Sequence, residues 1–393
     1  MKFRIKPKPW QRLLHDSYAS LPAPLKPPLD FVSIEEIKGS CAPQLLQKAG
    51  RSLLTHDLES AFHGQLVQSE QSWPERFLYT FSDVRLCGDQ ARIFFDGAST
   101  IGPGTYVWAE KASKVRRPLP GAQGRPCGHV FHLTGEDHNN RAHFLFEYMP
   151  RLYSSRKIRS GEARLLVAPG HSKWQASYLD LLNIQPDLLL EGSPGTLRAA
   201  QVEFVPLLGG EHQYPHIGDI GMFRAMLQEI HENIRSKGRL DDASPSQGTS
   251  LLWISRRDAP MRRVANEDEL IAVAQSFYDT VRVVCLSEVS LREQIRLVHQ
   301  FDCIVGAHGQ GLHLTALTRG KQVLILDQGK QTREQSWGAA FRNVAELAGN
   351  RALCLHNGTR NAGLAHDWVY PKEKFTSDLR KLAQLAQTSL GTS

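Results

Sequence analysis

Residues 281–327 read VRVVCLSEVSLREQIRLVHQFDCIVGAHGQGLHLTALTRGKQVLILD, and their pattern decides the fold. Three short apolar runs, VRVVCL from Val281, CIVGA from Cys303 and QVLILD from Gln322, are rich in β-branched residues and read as strands buried in a sheet. Between them, Leu291–Gln300 and Leu312–Leu317 carry apolar residues at helical spacing. Upstream, LLWIS from Leu251 and the stretch Glu267–Phe277 add one more strand and one more helix. Strand alternating with helix predicts a parallel sheet covered on both faces, a doubly wound α/β domain. Asn266 with Glu269, and Ser290 with Glu293, have the spacing of capping boxes opening the two long helices.

Outward from this stretch the pattern weakens. Gly238 to Ser250, GRLDDASPSQGTS, is polar and without apolar periodicity, so a domain boundary is expected there. Before it, Arg141–Tyr153 reads as a helix, with Phe144, Tyr148 and Leu152 on one face and Pro150 forcing a kink or an end. A strand from Leu165, a helix over Trp174–Leu182 and a strand from Val202 continue the alternation and predict a parallel sheet in the first half too. Asp83 to Phe95 alternates around Gly88-Asp89 as a β-hairpin, expected on the edge of the first domain. The organisation expected is an extended Pro- and Lys-rich arm (1–40), a first α/β domain (41–245), a second (246–374) and a terminal helix (375–393), with no internal repeat.

Composition narrows the class. With 393 residues, 41% hydrophobic and 22% charged, the chain has enough apolar surface for packed domains, which excludes a disordered, collagen-like or disulfide-scaffold protein. Lys and Arg number 47 against 40 acids, and the excess of +7 suits phosphates, anionic small molecules or an acidic membrane surface. The basic stretches lack interleaved aromatics and any nucleic-acid motif, so no nucleic-acid partner is expected. The six cysteines lie far apart with no CxxC pair and are expected reduced. The N-terminus is basic but broken by prolines and carries no apolar signal core, and no run of about 18 apolar residues exists, so a cytoplasmic protein is expected.

Two segments bear chemistry. Gly306-Ala307-His308-Gly309-Gln310-Gly311 follows a buried strand and opens a helix, which aims backbone N–H groups and the positive end of the helix dipole at one point. A phosphate or diphosphate site is expected there; the plainer alternative is a glycine turn needed only for tight packing. The second segment, Ser255-Arg256-Arg257-Asp258-Ala259-Pro260-Met261-Arg262-Arg263, begins at the carboxyl end of LLWIS, where ligands bind in doubly wound sheets. Arginine forks match phosphate oxygens and keep their charge at any working pH; the alternative is a solvated basic loop.

Three stretches, HFLFEYMPRL from His143, ISRRDAPMRRVANEDEL from Ile254 and LSEVSLREQIRLVHQFDCIVGAHGQGLHLTAL from Leu286, occur in the order and spacing that resemble glycosyltransferase family 61. That family includes bacterial capsule and lipopolysaccharide enzymes, plant xylan-decorating enzymes and eukaryotic protein O-linked N-acetylglucosaminyltransferases. The resemblance covers about residues 83–327 and is strongest over 253–326. It implies two Rossmann-like domains facing across a cleft (GT-B), a UDP-linked sugar donor on the C-terminal domain, inverting chemistry, and no metal or other cofactor. It also implies a terminal helix that crosses back onto the first domain. The sequence holds no DxD triplet of the kind that carries a divalent ion under a diphosphate. His313 departs from the family pattern, where a small polar residue or Asn is more common, and this bears on donor choice.

Inversion needs a base for the acceptor hydroxyl. His143 and Glu147, four apart on one helical face, are the candidates, in either order, and the family motif retains a histidine and an acid at these places. A pair that only fixes the helix is the alternative, and His129, His132, Glu136, Asp137 and His138 offer other bases nearby. With Ser255 at the head of the arginine loop, Arg256 and Arg263 are assigned to the diphosphate, with amides from Gly309, Gln310 and Gly311, and His308 to a phosphate or the ribose. Glu293 and Gln294 meet the ribose or merely cap their helix; Glu288 faces the sugar or ribose. No metal ligands are expected. The acceptor expected is a glycan or lipid-linked glycan of surface polysaccharide synthesis, reached from the cytoplasmic face of the inner membrane, with peripheral membrane contact through the basic arm. The competing reading is a non-catalytic nucleotide- or phosphate-binding module of the same fold. A serine hydrolase is disfavoured because no GxSxG elbow exists.

Overall fold

The computed structural model describes residues 30–32, 44–47, 50–56, 67–73, 76–88, 91–95, 99–101, 124–135, 139–170, 172–192, 195–206, 220–237, 249–328, 337–356 and 366–387. In chain order the strands are β1 (Asp30–Val32), β2 (Gln44–Gln47), β3 (Gly50–His56), β4 (Val67–Trp73), β5 (Arg76–Cys87), β6 (Arg92–Phe94), β7 (Ser99–Ile101), β8 (Arg125–His132), β9 (Arg164–Val167), β10 (Leu189–Glu191) and β11 (Leu197–Phe204). They continue with β12 (Ser250–Ser255), β13 (Thr280–Cys285), β14 (Cys303–Ala307), β15 (Gln322–Asp327) and β16 (Arg351–His356). Two compact units result, one of residues 1–50 with 73–210, the other of 51–72 with 211–393. The expected arm before Asp30, the core of the expected seam (238–248) and the residues after Gln387 lie outside the described residues.

The first unit holds a nine-stranded sheet in the order β1-β7-β6-β5-β11-β8-β9-β10, with β2 beside β5. The fully parallel sheet expected here is corrected. β11, β8, β9 and β10 run parallel, as do β1 and β7, while β5 meets both β11 and β6 antiparallel. The β5–β6 hairpin exists, with Leu86 opposite Ile93, but it lies inside the sheet and not on its edge. Three strands break stride at one level: Asp83 of β5 has φ 51°, Gly128 of β8 has φ 70°, and β11 slips register between Ala199 and Gln201. Breaks of this kind bend a sheet sharply. The bend lets Ala91, Ile93 and Leu197 share one core with Leu166 and Leu190.

The second unit carries the expected doubly wound domain. Its five strands are all parallel, in the order β13-β12-β14-β15-β16. Leu251, Trp253, Val305, Leu324 and Leu326 fill one face of the sheet against Leu270 and Ala274 of the helix Glu267–Ala274 and Phe375, Leu379 and Leu382 of the helix Lys372–Gln387. The intervening Leu252, Ile254, Ile304, Val323 and Ile325 point to the opposite face and are equally buried. The terminal helix therefore packs within this unit through Phe375, Leu379 and Leu382. The helix Ile220–Ser236 also belongs to this unit, which moves the boundary upstream of the polar seam.

The capping boxes are realised in part. Ser290 accepts from the Glu293 amide at 3.3 Å, but the Glu293 carboxylate turns to Arg296. Asn266 makes no side-chain cap; its amide instead docks the chain at Tyr370, accepting from its N–H at 3.0 Å and donating to its carbonyl at 2.8 Å. Among the described residues no helix is long and apolar enough to cross a membrane. Cys87, Cys127, Cys285, Cys303 and Cys354 are free thiols.

Candidate active site

In the order β13-β12-β14 the chain first winds one way from β12 and then returns to its other side, so β12 and β14 flank the topological switch point. Ligands of doubly wound sheets bind outside the carboxyl ends of the strands at that point. The arginine loop leaves β12 there, and the glycine turn leaves β14 there.

The glycine turn leads into a 3₁₀ helix, Gln310–Leu317, whose first amides have no carbonyl behind them within the helix. Gly311 packs so closely that a Cβ would sit 3.0 Å from both Ile254 Cγ2 and Leu286 Cδ1. Gly309 faces a different neighbour: a Cβ there would fall 1.9 Å from Nη1 of Arg256. The Arg256 guanidinium thus lies directly on the main chain of the turn. It donates to the Met261 carbonyl at 3.3 Å, and its Nε is buried without a hydrogen-bond partner among the described residues. Burial, then the neighbouring Arg262 charge, pull Arg256 down to about 10. Arg262 is half-buried with φ 62°, its Nε also lacks a partner among the described residues, and burial lowers its pKa. Neither guanidinium has an ion-pair partner among the described residues. Two such cations beside the amides that open the 3₁₀ helix have the chemistry to receive an anion.

His308, at the end of the β14 turn, is 2% exposed. Its Nε2 lies 3.3 Å from Arg262 Nη1 and its Nδ1 3.5 Å from Oδ1 of the buried Asp327, which ends β15. His313 hydrogen-bonds through Nδ1 to the Gln310 carbonyl inside the 3₁₀ helix.

The other residues singled out in the sequence have different occupations. Arg263 is held by Asp367, with Nε 2.8 Å and Nη2 2.6 Å from Oδ2, so Arg262 takes the place by the turn that sequence reasoning gave to Arg263. Ser255 is buried and donates to Glu267 at 2.8 Å; the same carboxylate accepts from Trp253 Nε1 at 2.7 Å and Arg257 Nε at 2.6 Å, which anchors the root of the loop. Gln294 is buried, and its Nε2 donates to Leu286 at 2.7 Å and Val289 at 3.0 Å, bracing the turn after β13 that carries the exposed Glu288. Glu293 is held below the usual carboxylate range by its hydrogen bond to Arg296. Asp327 and Arg262 were missed. An acid closing the apolar run QVLILD was a visible signal; the positive φ of Arg262 was not.

His143 and Glu147 belong to the first unit. The stretch Arg141–Ser154 is one α turn, a π segment (Phe144–Tyr148) and a 3₁₀ segment (Met149–Ser154), with Asn140 capping the start by accepting from Ala142 N–H at 3.0 Å. Single π turns recur at functional sites. His143 Nδ1 lies 3.0 Å from Glu147 Oε2, and the two side chains are 17% and 25% exposed, joined yet open to a reactant. Arg151, fully buried below, donates from Nε to the Glu147 carbonyl at 3.0 Å and from Nη1 to the Val205 carbonyl at 2.8 Å. His132 is tied to the Ala91 carbonyl at 2.8 Å, and His129 sits 3.6 Å from the buried Glu203, which also binds Lys157 at 3.1 Å. His132 is thus engaged in holding the sheet, whereas His129 Nε2 is buried without a hydrogen-bond partner among the described residues; Glu136, Asp137 and His138 lie outside the described residues. Among the described residues no group of three or more His, Cys, Asp or Glu is arranged to hold a metal ion.

The span from Ala142 to Ile325, which contains His143, Glu147, the arginine loop and the glycine turn, matches the family Glycosyltransferase 61. The likeness to that family is carried by residues 142–325. Similar relatives are the EGF domain-specific O-linked N-acetylglucosamine transferase of Mus musculus, 31% identical over 101 residues, and that of Gallus gallus, 29% identical over 116. The aligned stretches cover 25% and 28% of this chain and 18% and 20% of the relatives, so this chain matches about a fifth of the length of those relatives.

Proposed function

We propose that the protein is an inverting glycosyltransferase that takes a sugar from a nucleoside-diphosphate donor, UDP-linked, and moves it to a hydroxyl of a glycan or lipid-linked glycan. The observation that carries this is the pair Arg256, against Gly309, and Arg262, beside His308, both half-buried at the switch point with no ion-pair partner among the described residues. Two guanidiniums and the helix-end amides suit the two charges of a diphosphate and would stabilise it as it leaves, the part a divalent ion plays in other transferases. The family match, and relatives whose names specify O-linked transfer, support an oxygen acceptor.

In this mechanism Glu147 and His143 share the proton of the acceptor hydroxyl. One takes it while the other, 3.0 Å away, orients and neutralises its partner. The acceptor oxygen attacks the anomeric carbon, the bond to the diphosphate breaks, and the leaving charge falls on the arginines. The net charge of +7 suits contact with an anionic membrane surface, as a lipid-linked acceptor of surface polysaccharide synthesis would require.

Calorimetric titration of the EDTA-treated chain with UDP, GDP and CDP tests the reading. One nucleotide should bind, and Arg256→Ala should weaken it by about tenfold or more, the loss expected for a charge-assisted contact. Glu147→Gln and His143→Ala should keep that affinity and lose transfer. Silence across the panel, or turnover intact in both base variants, would refute the donor site or the base assignment respectively. Binding with no transfer from any sugar nucleotide would favour the non-catalytic module.

A further inference from the structure

We propose that Asp327 is a positioning residue that fixes the tautomer of His308, so that His308 can hold Arg262 at the anion site. The proposal rests on the diphosphate reading of that site. A guanidinium has only N–H donors and keeps its proton in proteins. With Arg262 Nη1 3.3 Å from His308 Nε2, that ring nitrogen accepts, the imidazole is neutral, and its proton is on Nδ1. Nδ1 faces Asp327 Oδ1 at 3.5 Å, with both side chains under 5% exposed. In such surroundings the carboxylate attracts an N–H and repels a bare lone pair, so Asp327 selects the tautomer that Arg262 needs. The opposite tautomer would set two donors against each other at Nε2 and two acceptors against each other at Nδ1.

The backbone shows what this arrangement holds in place. Arg262 is a non-glycine residue at φ 62°, a left-handed conformation kept only where the surroundings over-determine it. Its guanidinium is also held near that of Arg256, whose charge opposes it. Without the acceptor at His308 Nε2, Arg262 would turn to solvent and the site would keep one cation in place of two. Cys354 Sγ, 3.8 Å from Asp327 Oδ2, leaves the other carboxylate oxygen to face His308.

The test uses the full chain and inorganic pyrophosphate, which probes the diphosphate position whatever the donor's base. Asp327→Asn should bind pyrophosphate about tenfold more weakly than wild type, near the loss in Arg262→Ala, as expected when one charge-assisted contact goes. Ring ¹⁵N spectra of histidine-labelled protein, with the His308 signal identified by its absence in His308→Gln, should show the Nδ1–H form in wild type and its loss in Asp327→Asn. Should Asp327→Asn fail to fold, a second pair decides. His308→Gln, whose amide oxygen can accept from Arg262, should stay within about threefold of wild type, and His308→Leu should fall about tenfold. Wild-type affinity with an unchanged Nδ1–H signal in Asp327→Asn, or equal affinity in the two His308 variants, overturns the role while the site reading stands. A wild-type chain that takes up no pyrophosphate, or an Arg256→Ala variant that binds like wild type, overturns the site reading and this role with it.

Discussion

A methyl group at residue 309 and one at residue 311 would do different damage, although both belong to one glycine turn. At Gly309 the obstacle is the end of a mobile side chain, Arg256 Nη1 at 1.9 Å, and the backbone is extended with φ 161°. Gly309→Ala should therefore fold normally, displace the guanidinium and weaken nucleoside-diphosphate binding about tenfold, measured by titration beside a thermal melt. At Gly311 the obstacles are Ile254 and Leu286 at 3.0 Å, packed in the interior. Gly311→Ala should cost stability of about 1–3 kcal/mol by denaturant titration, as overpacking does. Equal stability losses in the two variants would show that Gly309 serves packing, the plainer alternative of the sequence reading. At this scale the sequence told which segments matter better than which atoms meet. The glycine turn and the arginine loop were legible because glycine and arginine are rare answers to ordinary packing. Which of Arg262 and Arg263 turns inward was not, since it depends on one φ angle and on Asp367, 104 residues away.

At the scale of elements, the 3₁₀ helix Gln310–Leu317 is held at the end far from the anion site. Its last carbonyls are met by side chains from three separate places: His231 Nε2 at 3.0 Å from Ala316 O, His299 Nε2 at 2.9 Å from Leu317 O, and Asn350 Nδ2 at 2.7 Å from Thr315 O and 3.0 Å from Thr318 O. Clamped there, the helix presents its amides at a fixed place. Burial lowers both histidines, His231 to about 4. The sign follows: between about pH 6.5 and pH 4 the unfolded chain takes up a proton at His231 that the folded chain refuses. Stability should thus be complete above about pH 6.5 and fall as pH drops through that window, by up to about 3 kcal/mol from this one group. His231→Gln should flatten the fall in a urea titration series from pH 7 to pH 4.5, and an unchanged slope would count against the clamp. This clamp also explains the misplaced boundary. The helix Ile220–Ser236 is visibly amphipathic, but nothing local says which unit covers its buried Phe223, Met226 and Ile230. Asn266 failed as a cap for a similar reason, because Tyr370, 104 residues on, claims its amide.

At the scale of the molecule there are two parallel arrays, and each has a switch point. In the first unit the order β10-β9-β8-β11 reverses between β8 and β11; in the second it reverses between β12 and β14. Four strands of the second array were legible because β12, β14 and β15 are buried along almost their whole length, so apolar runs and helical periods alternate cleanly; the edge strand β16 was not read. The first was read in its parallel half and in the β5–β6 hairpin, but not in how the two join. The antiparallel β5 is joined to β11 by pairings that span more than a hundred residues and pass the breaks at Asp83 and Gly128, which no local pattern announces. Topology alone gives either switch point an equal claim on the donor, and charge decides between them. Beside β12 and β14 stand two guanidiniums with no ion-pair partner among the described residues; beside β8 and β11, Arg151 donates from Nε and Nη1 to the Glu147 and Val205 carbonyls and lies over the Tyr148 ring. Hydrogen exchange of the full chain with and without the nucleotide that binds should accordingly show its strongest protection over residues 256–263 and 306–312. Protection centred on residues 132–135 and 204–206 would place the donor at the other switch point and reverse the roles given to the two units. The same experiment on Arg256→Ala, at a nucleotide level that saturates wild type, should lose the protection at 306–312 while the clamped segment 313–317 stays slow, since its bonds to His231, His299 and Asn350 do not pass through the ligand.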